Sequence, residues 1–115
     1  MHELSIALGI VEIGSEEAQR HMASSVTAVH IRLGPLSGVA REALESAFEL
    51  AREHTLLANA RLVIQETEVI AHCPRCASPG RVVAPAELRC IRCGSLTTEV
   101  LGGNDFELRA MEITT

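Results

Sequence analysis

Two short cysteine pairs constrain this chain more than any other feature. Cys73-Pro74-Arg75-Cys76 is followed, after thirteen intervening residues, by Cys90-Ile91-Arg92-Cys93-Gly94, and no other cysteine occurs. Each pair can present two sulfurs from one tight turn. Two such turns can bring four thiolates to the corners of a tetrahedron, the preferred geometry of a closed structural zinc site. Paired zinc knuckles are usually separated by ~15–20 residues; thirteen is slightly short but lets a small lobe fold back on itself. Other uses of thiols fit less well. Two disulfides need an oxidising compartment, and nothing in the sequence points to export. A redox Cys-x-x-Cys normally stands alone at the start of a helix. An iron–sulfur cluster also takes four thiolates, so spacing alone does not choose the metal. Four sulfurs fill the positions of a zinc ion and leave none open for a catalytic water. The His-x-Glu of zinc deaminases is also absent. The expectation is a structural Zn(II) on Cys73, Cys76, Cys90 and Cys93.

A chain of 115 residues, 47% of them apolar, suits one domain with a modest core and a metal-stapled lobe. Phe48 and Phe106 are the only aromatics, and the formal charge is -5. Ionised thiolates around a dication make the charge more negative still. Nucleic-acid binding by stacking and phosphate contacts is therefore not expected. The N-terminus lacks the basic region of a signal peptide, and no apolar run approaches the ~20 residues that span a bilayer. A cytoplasmic protein with no membrane segment is expected, where thiols stay reduced and available to metal.

Hydrophobic periodicity predicts a helix over 3–22, with Leu4, Ala7, Leu8, Val11 and Ala18 on one face and Gly14 as a candidate kink. Val26–Leu33 alternates with period two and reads as a strand, with Val29, Ile31 and Leu33 opposed to His30 and Arg32. Ser37 is the expected N-cap of a second helix reaching about His54. A second strand is expected from Leu62 to roughly Ile70. Short strands follow at 81–83 and 96–101, with Ser78-Pro79-Gly80 and Pro85 as punctuation. After a turn at 102–105 comes a last strand over 106–113, in which Phe106, Leu108 and Ala110 oppose Glu107, Arg109 and Met111. The expected fold class is α+β: two helices on a three-stranded sheet, with an inserted four-cysteine zinc-ribbon lobe. The expected domains are 1–70, completed by the strand within 103–115, and a zinc lobe over 71–102. A lobe of that size buries too little apolar surface to fold alone, so metal binding should supply much of its stability.

The second feature with chemical content is His2. An imidazole beside an α-amine and backbone amides offers several nitrogen donors within one turn of chain, a set that suits tetragonal Ni(II) or Cu(II). On these residues alone, a histidine at position 2 is more often a terminal side chain with no ligand role.

Taken together, the segments resemble the HypA/HybF family of nickel chaperones for hydrogenase maturation. Met1-His2-Glu3-Leu4-Ser5 is similar to its N-terminal signature, and Leu33-Gly34-Pro35-Leu36-Ser37-Gly38-Val39 to its strand-to-helix turn. The four cysteines sit where that family places zinc. Gly103-Asn104-Asp105-Phe106-Glu107-Leu108 and Met111-Glu112-Ile113 are similar to its closing strand. The resemblance spans essentially the whole chain. It implies transient Ni(II) at His2, with backbone contributions from Met1 and Glu3, and structural Zn(II) on the cysteines. It also implies delivery to the large subunit of [NiFe] hydrogenase with a HypB-type GTPase as partner; some relatives also serve urease.

The functional expectation is a metallochaperone and not an enzyme. The rival is a zinc-ribbon protein-interaction adaptor in which His2 is idle. A metal-dependent hydrolase is a weaker third, since His-Glu-x-x-His, Gly-x-Ser-x-Gly and a phosphate loop are all absent. His21, His30 and His54 read as structural or exposed; His72 reads as an extra ligand or, more commonly where four cysteines already satisfy zinc, as a solvated neighbour.

Overall fold

A computed structural model describes residues 2–115. In chain order it has α1 (His2–Arg20), β1 (Ser25–Leu33), α2 (Arg41–Ala51), β2 (Arg61–Glu66), β3 (Ile70–Cys73), β4 (Ser78–Ala84), β5 (Glu87–Cys90), β6 (Glu99–Gly102) and β7 (Phe106–Thr114). Three strands form a sheet of order β2-β1-β7, and four form a second of order β5-β4-β3-β6. This is the α+β architecture expected from sequence. The chain divides into two compact units. One holds α1, β1 as far as Arg32, α2, β2 as far as Gln65 and β7 from Glu107 onward. The other holds Leu33–Gly38 and Glu66–Phe106.

In the first unit β1 is the middle strand, and Val26, Ala28, Val29 and Ile31 are all buried. The helix α1 turns Ala7, Ile10, Val11, Gly14 and Ala18 inward, a spacing of three and four that lines one helical face. That face is rotated from the expected one: Leu4 and Leu8 are exposed, and Ile10 is buried. Gly14 produces no break in the helix. It is needed for packing, because a Cβ there would lie 3.0 Å from a Leu57 methyl and 3.3 Å from the Met111 sulfur. The helix closes on Met22 at φ 55, with Ala23 N–H donating to Ala18 and Met22 N–H to Gln19, the paired bonds of a Schellman end.

The second helix departs from expectation at both ends. It is preceded by Ala40, which has no side-chain cap, and Ser37 lies in the turn before it. The acceptor that Ser37 was expected to supply comes from Glu3, whose Oε2 receives the Ala40 N–H at 3.2 Å. The helix stops at Ala51, and His54 sits beyond it at φ 63. Leu44, Ala47 and Phe48 form its buried face. In β7 the alternation slips: Arg109 and Ala110 are both exposed, and Met111 and Ile113 are half-buried. Met111 therefore lies on the inner side, where the sequence pattern placed Ala110.

The expected strand from Leu62 to Ile70 is two strands in different sheets, β2 and β3. Thr67 intervenes, its N–H bonded to the Leu33 carbonyl and its hydroxyl to the Asp105 carboxylate at 2.8 Å. Ser78-Pro79-Gly80, read as punctuation, lies inside β4, paired antiparallel with β3. Of the expected strand over 96–101 only the end is regular; Leu96 makes an isolated bridge to Arg89. The core of the second unit is small: Val69, Ala71 and Val82, with Leu88 packed against them.

Candidate metal centres

Each cysteine pair sits where a strand runs into a tight turn. Cys73 ends β3 and faces Ser78 of β4 in register; Cys90 ends β5 and faces Val82. After each pair the chain passes through the left-handed region, at Ala77 (φ 53) and Gly94 (φ 76). This reversal lets backbone N–H groups point back at the first sulfur of each turn. In the first turn the Cys76 N–H donates to the Cys73 sulfur at 3.4 Å. In the second, the Cys90 thiol is lowered to about 6, first by the backbone N–H of Cys93 and then by that of Arg92. Gly94 N–H donates to the Cys90 carbonyl, and Cys90 N–H to the Ser95 carbonyl, both at 2.8 Å, which fixes the turn.

The four sulfurs converge. Cys73 and Cys93 are 3.6 Å apart, Cys76 and Cys90 3.9 Å, and all four lie within 4.8 Å of one another. A tetrahedron with Zn–S bonds of about 2.3 Å has edges of about 3.8 Å. The cluster therefore fits a zinc ion. All four cysteines are free thiols. Four thiols this close cannot ionise together without a cation. Cys90 and Cys93 are the ones biased toward thiolate, Cys93 chiefly by the Ser95 hydroxyl. Cys76 is pushed up to about 12 by its hydrogen bond with Cys93 and by burial. A dication would take the place of the shared protons.

Among the described residues, no other group of three or more potential ligands converges. His72 is not part of the cluster: it precedes Cys73 on β3, where successive side chains alternate between faces, and pairs in register with Pro79 and Glu99. His30 is engaged with Glu112, Nε2 to Oε2 at 2.7 Å, and His21 lies 3.8 Å from Glu17.

His2 is the first residue of α1 and is exposed; Met1 lies outside the described residues. Its Nε2 is 4.0 Å from the Glu3 carboxylate. The Glu3 carboxyl is held below the usual carboxylate range, first by the Ala40 N–H and then by its own backbone N–H. The link from Glu3 to the start of α2 was not legible in the sequence, since its partner is a backbone group 37 positions away. The role of Arg92 beside Cys90 was likewise unmarked by any motif.

The family model described as hydrogenase/urease nickel incorporation, metallochaperone, hypA matches residues 1–113. A hydrogenase maturation factor HypA of Chloroflexus aurantiacus is 41% identical over 112 residues, 97% of this chain and 98% of the relative. One from Picosynechococcus is 35% identical over 115 residues, covering 98% and 99%. The solution structure of the Ni metallochaperone HypA from Helicobacter pylori superposes with a TM-score of 0.64 at 26% identity, covering 99% of this chain and 98% of that one. A second HypA solution structure gives 0.70, also at 26% identity, covering 98% and 96%.

Proposed function

The chain belongs to the HypA family of metallochaperones for nickel incorporation into hydrogenase and urease, and from that premise we propose how its two centres divide the work. The helical unit carries Ni(II) transiently at His2, with the backbone nitrogens of Met1, His2 and Glu3 as co-ligands. The four-stranded unit holds Zn(II) permanently on Cys73, Cys76, Cys90 and Cys93. When bound, zinc supplies a crosslink between two turns of a unit whose own apolar core is small. The protein binds and releases nickel without making or breaking a covalent bond. It delivers the ion to the large subunit of [NiFe] hydrogenase, in the cytoplasm and with a HypB-type GTPase. No helix among the described residues is long and apolar enough to cross a membrane.

The observation that carries the nickel reading is the place of His2 at the first position of α1. The first four N–H groups of a helix have no acceptor within it. A metal that displaces the amide protons of His2 and Glu3 therefore breaks no rung of the helix. The cost is local: a cation at a helix N-terminus meets the positive end of the dipole. Glu3, in the first turn, offsets part of that charge. These opposed contributions suit a releasable site.

The test is a Ni(II) titration of zinc-loaded protein with an unextended N-terminus. His2→Ala should weaken nickel at least about 100-fold, as expected for loss of a first-sphere donor, and leave one zinc per chain. The chain contains no lysine, so its α-amine is its only primary amine. Reductive dimethylation therefore modifies that one group and should also weaken nickel. Equal nickel affinity in wild type and His2→Ala would leave His2 idle and favour the adaptor.

A further inference from the structure

The two cysteine turns carry an arginine at the same place, Arg75 between Cys73 and Cys76 and Arg92 between Cys90 and Cys93. The structure uses them differently. Arg75 is exposed and makes no hydrogen bond or ion pair among the described residues. Arg92 reaches across to β4, where its Nη2 donates to the Pro79 carbonyl at 3.1 Å and to the Ser78 carbonyl at 3.4 Å. It fills the space above Gly80: a Cβ on that residue would lie 2.6 Å from Nη2 and 3.1 Å from Cζ. Glycine inside a strand weakens it and marks a close approach. Gly80 is not among the residues with positive φ, so the need is for room and not for backbone freedom. Ser78 is the register partner of Cys73, so Arg92 ties the second cysteine turn to the strand that pairs with the first.

We propose that Arg92, seated in the notch left by Gly80 and bonded to the Ser78 and Pro79 carbonyls, is a clamp that locks the second cysteine turn onto β4 and guards the zinc centre against loss of its metal. Arg92 is a positioning residue: it acts through Cys90 and touches no cargo. Four thiolates around a zinc dication leave two negative charges. A guanidinium fixed at the second cysteine turn offsets part of that charge. Its Nη2 meets both carbonyls at the end of a planar, weakly hydrated group, a geometry that a compact, strongly hydrated lysine ammonium reproduces poorly. Only one of the two sequence-equivalent arginines is so placed, so the effect belongs to the geometry and not to the motif.

The clamp rests on the zinc assignment, and zinc stoichiometry measured first on each preparation tests that assignment separately. Zinc-loaded full-length wild type, Arg92→Ala, Arg92→Lys, Gly80→Ala and Arg75→Ala are then challenged with excess chelator, and zinc release is followed by absorbance. Outer-sphere partners of metal ligands typically contribute 10–100-fold to metal retention. Since Arg92 is exposed, Arg92→Ala and Gly80→Ala should release zinc about tenfold faster. Arg92→Lys should fall between, and Arg75→Ala should match wild type. In Co(II)-substituted protein the sulfur-to-cobalt charge-transfer bands should shift in Arg92→Ala and Gly80→Ala only, because both free the turn that places Cys90 and Cys93. Wild-type release from Arg92→Ala, or equal acceleration in Arg75→Ala, would overturn the clamp. If Arg92→Ala fails to load zinc while Arg75→Ala loads fully, the clamp is supported. Gly80→Ala keeps the charge and displaces the group, so wild-type release from it would overturn the proposal independently.

Discussion

Replacing Gly34 by alanine should destabilise the zinc-bearing unit by about 3 kcal/mol. A Cβ at this position would lie 2.1 Å from the Gly103 carbonyl oxygen and 2.4 Å from its carbon, both backbone atoms that cannot rotate away. Ordinary contact begins near 3.4 Å, so the two segments must part by about 1.3 Å. Two hydrogen bonds flank the contact: Gly34 N–H to the Asp105 carbonyl at 2.8 Å and Leu36 N–H to the Gly103 carbonyl at 2.7 Å. Adding about 1.3 Å takes both to roughly 4 Å, beyond hydrogen-bonding range. Each lost bond costs about 0.5–1.5 kcal/mol, and residual overpacking about 1–3 kcal/mol. Against this stands about 0.4–1 kcal/mol gained because alanine restricts the unfolded chain. A net loss of about 3 kcal/mol is about a hundredfold in an equilibrium constant, or more. Amide hydrogen exchange at Leu36 in zinc-loaded protein reads it directly, and exchange there should accelerate by roughly that factor. Gly9 is the control. It lies within α1 with nothing within 4 Å of a built Cβ, and Gly9→Ala should stabilise by about 0.5–1 kcal/mol. If Gly34→Ala behaved like Gly9→Ala, the close approach would not constrain the fold.

Two further outcomes follow from the sites. Cys90→Ser should lose zinc and collapse amide protection in β3–β6 while leaving it in α1 and β1; full zinc stoichiometry in that variant would show the ligand set to be wrong. The Glu112 carboxyl lies below its ordinary value, chiefly through the hydrogen bond from His30, and a depressed acid contributes stability that is present above the unfolded pKa and lost as pH falls through the folded one. His30→Phe should therefore raise the Glu112 titration seen by carbon NMR and flatten the acid limb of the stability curve, whereas an unmoved Glu112 titration would show that the His30 contact has no electrostatic consequence.

The parts of the fold that were legible in the sequence depend on local periodicity or on a fixed spacing. The alternation of Val29, Ile31 and Leu33 against His30 and Arg32 survives in β1, and the doubled cysteine spacing gives the sulfur cluster. The parts that were not legible are settled by groups distant in the chain. Ser37 has the composition of a cap, yet α2 begins three residues later because the Glu3 carboxylate meets the Ala40 N–H. Leu62 to Ile70 reads as one strand, yet Thr67 divides it by bonding Leu33 and Asp105. Pro79 and Gly80 look like breakers, but Gly80 makes room for Arg92, and Pro79 supplies a carbonyl to the same group. Strands of four residues, such as β3 and β5, are too short for period-two alternation to show.

The same contrast explains why the two motifs around Gly34 and Gly103 occur together. Gly34 leaves no side chain where the Gly103 carbonyl must come, and Gly103 adopts φ 110, a conformation that side chains disfavour. A Cβ on Gly103 would also lie 2.8 Å from the Val69 Cα, the residue that opens the small core beneath β3. Gly34 is therefore needed only because of the other segment's backbone, whereas Gly103 is needed both for its own turn and for the approach of Val69. In the second unit, the close contact of Leu33–Gly38 with residues 103–105 thus depends on atoms that are absent. Zinc and the Arg92 contact act at the cysteine turns of the same unit. A unit with so few buried aliphatic side chains gains its order from such specific constraints more than from bulk burial, which is why single substitutions at Gly34, Gly80 or Cys90 should each be felt beyond their own position.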